Sequence, residues 1–455
     1  MTDPAWRQGA EIALTITDLN DQGDGVGRWQ ERVVFVPNTV PGDQVRVRLV
    51  WVKPSYAYGT LLGLDAPSPH RVVPLCPVAD TCGGCQWQHI DYSYQLVAKQ
   101  RQIEQALIRI GGLAHPPVAP VPSQQQPWAY RNKVTYPLGL NRAGELQAGF
   151  YQKNTHHIVN INRCPVQDPQ FDVLLPQLKQ DLQQRGWSIY NETTGRGALR
   201  HLNLRIGRRT GEVLMTLVST TAKLPHLQEQ ARQWQARWPQ VVGVCVHVNP
   251  KPGNTIFAGE THCVWGRDYL WEEFCGLRWQ IRPDTFFQVN TEQAEKLVNT
   301  IQKTLVLQGS ECLVDAYCGI GTLGLPLARS VRQLVGIEVH PAAIHQAQAN
   351  ARHNRIPNAQ FHCGTVETLL PQLALRPDVI LLDPPRKGCD PQVMKYLQQN
   401  PVPRLVYVSC NPATLARDLR ALCTEGPYCL EQVIPLDFFP QTHHVESVSF
   451  LRRRF

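Results

Sequence analysis

Cys312-Leu313-Val314-Asp315-Ala316-Tyr317-Cys318-Gly319-Ile320-Gly321-Thr322-Leu323-Gly324-Leu325 decides the fold. It reads as a strand, a glycine turn and the start of a helix. Gly319-x-Gly321-x-x-Gly324 matches the dinucleotide fingerprint, in which absent β-carbons let the backbone approach a ligand. A second strand, Gln333–Val339, carries Glu338 17 residues after Gly321, where an acid binds ribose hydroxyls. A nucleotide-like cofactor with a ribose follows. NAD and S-adenosylmethionine both fit this turn, so the downstream chemistry must choose.

Downstream the alternation continues. Asp378–Leu382 is an apolar strand that delivers Asp383-Pro384-Pro385-Arg386, and Leu405–Ser409 another that ends in Cys410-Asn411-Pro412. From about residue 280 strands alternate with helices, which predicts an α/β fold with a doubly wound, Rossmann-like sheet over 280–455. Ligands of such sheets sit beyond the carboxyl ends of the strands, so the loops after residues 315, 382 and 409 converge on one crevice.

Upstream, residues 8–66 read as short strands broken by Gly23-Asp24-Gly25-Val26-Gly27 and Pro41-Gly42-Asp43, which predicts a five-stranded OB-type barrel. Pro67, Pro69, Pro74 and Pro77 mark a linker. Leu96, Ile103, Leu107 and Ile110 fit one helix over 91–111, expected to pack on the catalytic domain and ended by Pro116 and Pro117. Residues 128–278 look like an α+β domain with a helix near 223–238. The expected division is 8–66, 67–279 and 280–455.

With 43% hydrophobic residues the chain is ordinary globular material, and no stretch approaches the roughly 18 apolar residues of a membrane span. The opening Met1–Arg7 lacks the basic-then-apolar layout of a signal peptide, so a cytoplasmic protein without disulfides is expected. The net charge of +8 is unevenly placed: residues 1–65 hold 6 basic and 8 acidic side chains, residues 96–209 hold 15 and 6. Trp128, Tyr130, Tyr136, Phe150 and Tyr151 lie among those cations. Cations for phosphates and aromatic faces for unstacked bases are what single-stranded RNA requires. Arg131, Lys133, Arg200 and Arg205 are therefore expected to matter more to RNA binding than the barrel's charges. A solvated basic surface is the plainer alternative.

Cys76-x5-Cys82-x2-Cys85 is a compact thiol set whose Gly83 and Gly84 permit a tight fold. Cys164 is the best fourth ligand, because a proline follows it as one follows Cys76. Zinc also takes four thiolates but usually from two short pairs. Three local ligands and one 79 residues on favour an iron–sulfur cluster.

A cysteine and an acid at strand ends have no evident use in hydride transfer. Methylation at an unactivated carbon uses both. The C5 of uracil becomes nucleophilic once a thiolate adds at C6, and a base must afterwards take the C5 proton. Cys410 fits the thiolate. Glu446, in His443-His444-Val445-Glu446-Ser447-Val448 at the start of the last strand, fits the base. Cys318 and Cys389 are rival thiols with poorer placement. The adjacent His443 and His444 point to opposite faces if extended, which argues against a shared metal.

Phe286-Phe287-Gln288-Val289-Asn290, Asp315–Thr322, Asp383-Pro384-Pro385-Arg386, Ser409-Cys410-Asn411-Pro412 and His444–Val448 together resemble the motifs of the RNA (uracil-5-)-methyltransferases that carry a TRAM domain and a 4Fe–4S cluster, the RumA-like enzymes of ribosomal RNA. The resemblance runs nearly the whole length. It implies S-adenosylmethionine as cofactor, with Gln288, Tyr317, Glu338 and Asp383 lining the cofactor and uracil pocket. It implies Cys410 as nucleophile and Glu446 as base, Cys76, Cys82, Cys85 and Cys164 as cluster ligands, and a TRAM barrel over 8–65. A monomer that methylates one uridine of 23S ribosomal RNA is the expected protein, with a transfer RNA uridine as the alternative. Cys389 stands where a small residue is expected.

Three rivals compete. Methylation of exocyclic amines uses an aromatic residue where Arg386 stands, and no cysteine. Cytosine C5 methylation places a Pro-Cys nucleophile elsewhere. An RNA-binding iron–sulfur sensor with an inactive fold has no need of both Cys410 and Glu446.

Overall fold

The computed structural model describes residues 6–454. Residues 1–5, on which the expectation from the opening stretch partly rests, lie outside the described residues. Five strands, β1 (Glu11–Leu19), β2 (Gly25–Trp29), β3 (Arg32–Val36), β4 (Gln44–Val52) and β5 (Tyr56–Ala66), close into a barrel in the order β1-β2-β3-β5-β4. Inward Ile12, Leu14 and Ile16 alternate with outward residues along β1, and Val45, Val47 and Leu49 do the same on β4. Four of the barrel's acids are paired in place: Glu11 with Arg48, Asp43 with Arg71, Asp65 with Arg46 and Asp24 with Lys153.

Helix α1 (Tyr92–Arg109) starts at Asp91, whose side chain accepts the Ser93 and Tyr94 amides. Its Ile103 and Leu107 are buried in the same core as the catalytic strands. Lys99 donates to Asp437 Oδ1 at 2.5 Å with both side chains fully buried, and the Tyr92 hydroxyl donates to Asp437 Oδ2 at 2.9 Å. Removing one partner of such a pair costs about 3–5 kcal/mol, so α1 is fixed to the catalytic body.

The central sheet has β6 (Lys133–Leu140), β7 (Leu146–Tyr151), β8 (Ile158–Asn160), β9 (Leu199–Ile206), β10 (Val213–Ser219), β11 (Val241–Val248) and β12 (Glu260–Gly266) in the order β12-β11-β10-β9-β6-β7-β8. It carries two helices, α2 (Pro169–Arg185) and α3 (Leu227–Arg237), where the sequence shows only the second. Helix α2 has clear ends, an Asp168 cap and a left-handed Gly186, but Pro176 inside it masks the pattern. Every residue of β9 is buried. This corrects the expectation for Arg200 and Arg205. Arg200 donates to the carbonyls of Asn249, Lys251 and Gly253, and Arg205 to that of Thr285. Arg208 and Arg209 are likewise engaged, with Asp168, Glu292 and Glu295. Much of the basic excess over 96–209 is structural.

A hairpin of β13 (Leu270–Phe274) and β14 (Leu277–Ile281) precedes α4 (Thr291–Leu305) and packs Trp279 and Phe274 into the catalytic core, ahead of the boundary expected at 280. The catalytic strands are β15 (Cys312–Asp315), β16 (Gln333–Glu338), β17 (Ala359–Cys363), β18 (Val379–Leu382), β19 (Arg404–Ser409), β20 (Tyr428–Leu436) and β21 (Glu446–Arg453), ordered β17-β16-β15-β18-β19-β21-β20. The first five run parallel and β21 pairs antiparallel to β19. All of β15 and β18 is buried, as helices on both faces require. The strand order reverses between β15 and β18, where doubly wound sheets bind ligands.

Candidate active site

Cys410 follows the last residue of β19 and Glu446 is the first of β21. The pairing Ser409↔Ser447 sets these two ends side by side at the mouth of the crevice. Asp383 follows β18, so its loop lies next in the sheet order. The three groups sense one another. Burial pushes Glu446 up to about 8, with Asp383 adding and Arg386 opposing. Burial pushes Asp383 up to about 7. The half-buried Cys410 thiol is pushed up to about 11 by burial and Glu446, against the pull of Arg386. Among the described residues, Arg386 is the cation that acts on both the thiol and the acid. It is absent from the site read off the sequence, although its place directly after Asp383-Pro384-Pro385 at a strand end could have signalled it.

The cofactor turn lies on the other side of the switch point. Gly319 and Gly321 have φ of +54° and +91°, and a β-carbon on Gly321 would sit 2.7 Å from Leu325 Cδ1. Glu338 holds the turn: its Oε2 accepts from the Gly319 amide at 3.1 Å and its Oε1 from the His340 amide at 2.8 Å. Asp315 is pushed up to about 7 by burial, with Asp383 and Glu338 adding to the shift. Three carboxylates gathered at one turn fit a ligand that brings positive charge, as a sulfonium cofactor does. Gln288 is buried in the loop before α4. That loop is held by the central sheet, because Asn132 donates from Nδ2 to the Gln288 carbonyl and from its amide to the Val289 carbonyl, both at 2.9 Å. Tyr317 is half-buried beside Cys389. The rival thiols Cys318 and Cys389 are both 4% exposed and point into the core.

The histidines differ from the sequence expectation. The chain at 440–445 turns instead of running extended, so the His443 and His444 rings lie 4.1 Å apart on one side. Burial pushes them down to about 4 and about 3, which leaves both neutral.

A cleft of about 730 Å³ leads to this point. Its walls are β1–β3 of the barrel, the outer face of α1 and the loops bearing Cys410 and the two histidines. Arg28, Arg101, Arg109 and Arg386 line it, with Phe35 and Tyr94.

The four cysteines nominated as ligands come together away from the cleft. Cys82 bridges to Gln152, the Gly83 amide donates to the Tyr151 carbonyl at 2.9 Å, and a β-carbon on Gly83 would crowd that oxygen at 2.9 Å. Burial pushes the Cys85 thiol up to about 11, with Cys82 and Cys76 adding. Burial pushes Cys164 up to about 12, with Cys85, Cys76 and Cys82 adding. Among the described residues, no three His, Cys, Asp or Glu side chains converge tightly enough to hold a single metal ion. A tetrathiolate zinc needs its sulfurs about 2.3 Å from one point, whereas a cluster takes them more widely spaced.

No helix among the described residues is long and apolar enough to cross a membrane. Residues 5–62 match the TRAM domain, and residues 260–374 and 372–454 match the tRNA (Uracil-5-)-methyltransferase family. An uncharacterized RNA methyltransferase of Nostoc sp. is 58% identical, over 99% of this chain and 98% of that protein. One of Bacillus cereus is 39% identical, over 100% and 98%. The crystal structure of the Pyrococcus abyssi tRNA (uracil-54, C5)-methyltransferase in complex with S-adenosyl-L-homocysteine superposes with a TM-score of 0.77 at 28% identity, over 99% of this chain and 100% of that one. A parallel sheet with a glycine turn, an acid at its second strand and a cysteine at its fifth thus comes with a TRAM barrel and relatives along its whole length, and the chain belongs to the RNA methyltransferases of the uracil-5 family, enzymes that use S-adenosylmethionine.

Proposed function

We propose that this enzyme methylates C5 of one uridine in 23S ribosomal RNA through a covalent bond between Cys410 and C6 of the base. The observation that carries this reading is the convergence of Cys410, Glu446, Asp383 and Arg386, with Cys410 and Arg386 lining a cleft shared with the barrel. When bound, S-adenosylmethionine supplies an electrophilic methyl group to the crevice held by Gln288, Tyr317, Glu338 and Asp383. Arg386 draws the Cys410 thiol toward the thiolate, and the thiolate adds to C6. C5 thereby becomes an enolate-like carbon able to take the methyl. Glu446 then removes the C5 proton and the thiolate leaves, so the nucleophile is regenerated. One chain supplies every residue of this set, which supports a monomer, and cytoplasmic action follows from an RNA substrate. A transfer RNA uridine is the second reading, favoured by the whole-chain similarity to a protein that acts on tRNA. Mapping 5-methyluridine in ribosomal and transfer RNA from cells with and without the protein decides between them: the site that vanishes names the substrate.

The cleft gives a sharper expectation for RNA contact than the charge count. Arg101 and Arg109 are exposed on α1 along the cleft, while Arg200 and Arg205 are buried. Arg101→Glu and Arg109→Glu should each raise the Kd for substrate RNA about tenfold at low salt and lower its salt slope by about one, as loss of a phosphate contact does. Arg200→Glu should unfold the central sheet instead. Equal effects from both classes in a salt-titrated binding assay would remove the cleft from the RNA path.

We also propose that Cys76, Cys82, Cys85 and Cys164 hold a 4Fe–4S cluster with a structural role, since methyl transfer consumes no electrons. Anaerobically purified protein should contain about four irons and four sulfides per chain. Cys164→Ser should bleach it while the catalytic sheet stays folded by circular dichroism. Stoichiometric zinc without sulfide would overturn the assignment.

A further inference from the structure

Cys389 is the residue with no place in the reaction, yet it lies in a network that reaches both halves of the site. Its thiol meets the hydroxyls of Tyr317, on the cofactor turn, and Tyr407, on β19. The Tyr407 hydroxyl donates to Asp418 Oδ2 at 2.6 Å, and the Cys389 amide donates to the same oxygen at 2.9 Å. Asp418 is buried on the helix Pro412–Leu419, which begins two residues after Cys410. Its other oxygen accepts from Arg417 Nε at 2.8 Å, and Arg417 Nη2 donates to the Lys387 carbonyl at 3.0 Å. One turn earlier, Thr414 Oγ1 and Asn411 Nδ2 both donate to the Arg386 carbonyl at 3.2 Å.

One helix face therefore grips the whole turn from Arg386 to Cys389. The grip is close. Gly388 has a φ of +79°, and a β-carbon there would stand 2.4 Å from Arg417 Nη2 and 2.7 Å from Asp418 Oδ2. The turn carries Arg386, the cation that acts on Cys410, and through Cys389 it touches Tyr317. Because the helix and the nucleophile share one segment of chain, this grip sets the Arg386 backbone beside the Cys410 segment, and the guanidinium reaches on to His444 Nε2 at 3.5 Å.

We propose that Asp418 is a positioning residue: by anchoring the Arg386–Cys389 turn to the helix behind Cys410, it sets Arg386 against the nucleophile and Tyr317 against the cofactor. The inference rests on Cys410 being the nucleophile. It also accounts for Cys389, a small polarizable link between two tyrosines.

The readout is alkylation of Cys410 by iodoacetamide in the full chain, followed by mass spectrometry of the Cys410 peptide at fixed pH. It reports thiolate fraction whether or not methylation occurs. The charged groups that face Cys410 are Arg386, Glu446 and Asp383. Arg386→Ala should slow alkylation about tenfold. Asp418→Asn keeps the shape but loses one acceptor oxygen, and should slow it about fivefold. The double variant should be no slower than Arg386→Ala alone, because Asp418 acts through Arg386. Thr414→Val removes a bond to the Arg386 carbonyl without touching the buried carboxylate. It should slow alkylation about twofold, and it serves if Asp418→Asn fails to fold. Additive effects, or normal alkylation in both Asp418→Asn and Thr414→Val, would overturn the proposal. Methylation that persists in Cys410→Ala would instead overturn the nucleophile itself.

Discussion

Cys410→Ala is expected to transfer no methyl group to RNA while it folds and binds RNA as the native protein does. The reason lies in the order of events. C5 of uracil has little nucleophilic character until a thiolate adds at C6, so without Cys410 the carbon that must accept the methyl is never formed. The protein makes that addition selective by an arrangement that looks unfavourable at first. Burial and Glu446 push the thiol up to about 11, so only about one molecule in 10⁴ is thiolate at pH 7. Arg386 opposes this shift. The resting thiol is thereby mostly protonated, and the thiolate that adds to C6 comes from the small ionised fraction that Arg386 favours. Labelled methyl groups in RNA and a denaturation-resistant complex report transfer and adduct separately. Neither should appear with Cys410→Ala. Methylation at more than about a hundredth of the native rate would show that C5 is activated some other way.

How legible this site is in the sequence depends on what brings its parts together. The glycine turn, Glu338 and the strand-end loops are local patterns, and parallel strands carry such loops to one edge by rule. The pairing of Cys410 with Glu446 is different. It rests on β21 running antiparallel to β19 in the register Ser409↔Ser447, and no local pattern in Val445–Leu451 reveals either. Arg386 is hidden for a similar reason: Asn411, Thr414 and Arg417 grip its turn across 25 to 30 residues of chain. Charge counting failed at Arg200 and Arg205 because it cannot tell an outward cation from one inserted between two strands. The opposite-face placement of His443 and His444 holds only for an extended chain, and Gln441, with a φ of +70°, turns it. The hairpin over 270–281 lies astride the boundary expected at 280: Phe274 and Trp279 join the core of the later strands, while Trp271 and Glu272 bond to the 207–212 turn of the central sheet.

Glu446→Gln should separate the end of the reaction from its beginning. In the proposed mechanism the proton that Glu446 removes sits on the carbon that has just been methylated, so a glutamine permits thiolate addition and methyl transfer and then stalls. Labelled RNA should accumulate on Cys410 in a complex that survives denaturation, while turnover falls by about 10²–10⁴-fold, the usual worth of a general base. The pH dependence follows from the same carboxyl. Burial pushes Glu446 up to about 8, so roughly a tenth is ionised at pH 7, and the rate of the last step should climb about tenfold per pH unit before levelling above 8. Stability runs the other way. A carboxyl whose folded pKa is raised contributes stability below its unfolded value and loses it as pH rises through the folded one. The native protein should therefore lose Tm from about pH 4 up to pH 8 through both Asp383 and Glu446, level off above that, and Glu446→Gln should lose less. That contrast guards against a trivial result, since a merely damaged variant would melt lower at every pH. If Glu446→Gln turns over at the native rate, another group takes the proton. If it forms neither adduct nor product while melting normally, Glu446 acts before the methyl arrives, at the step that seats the uracil against Cys410.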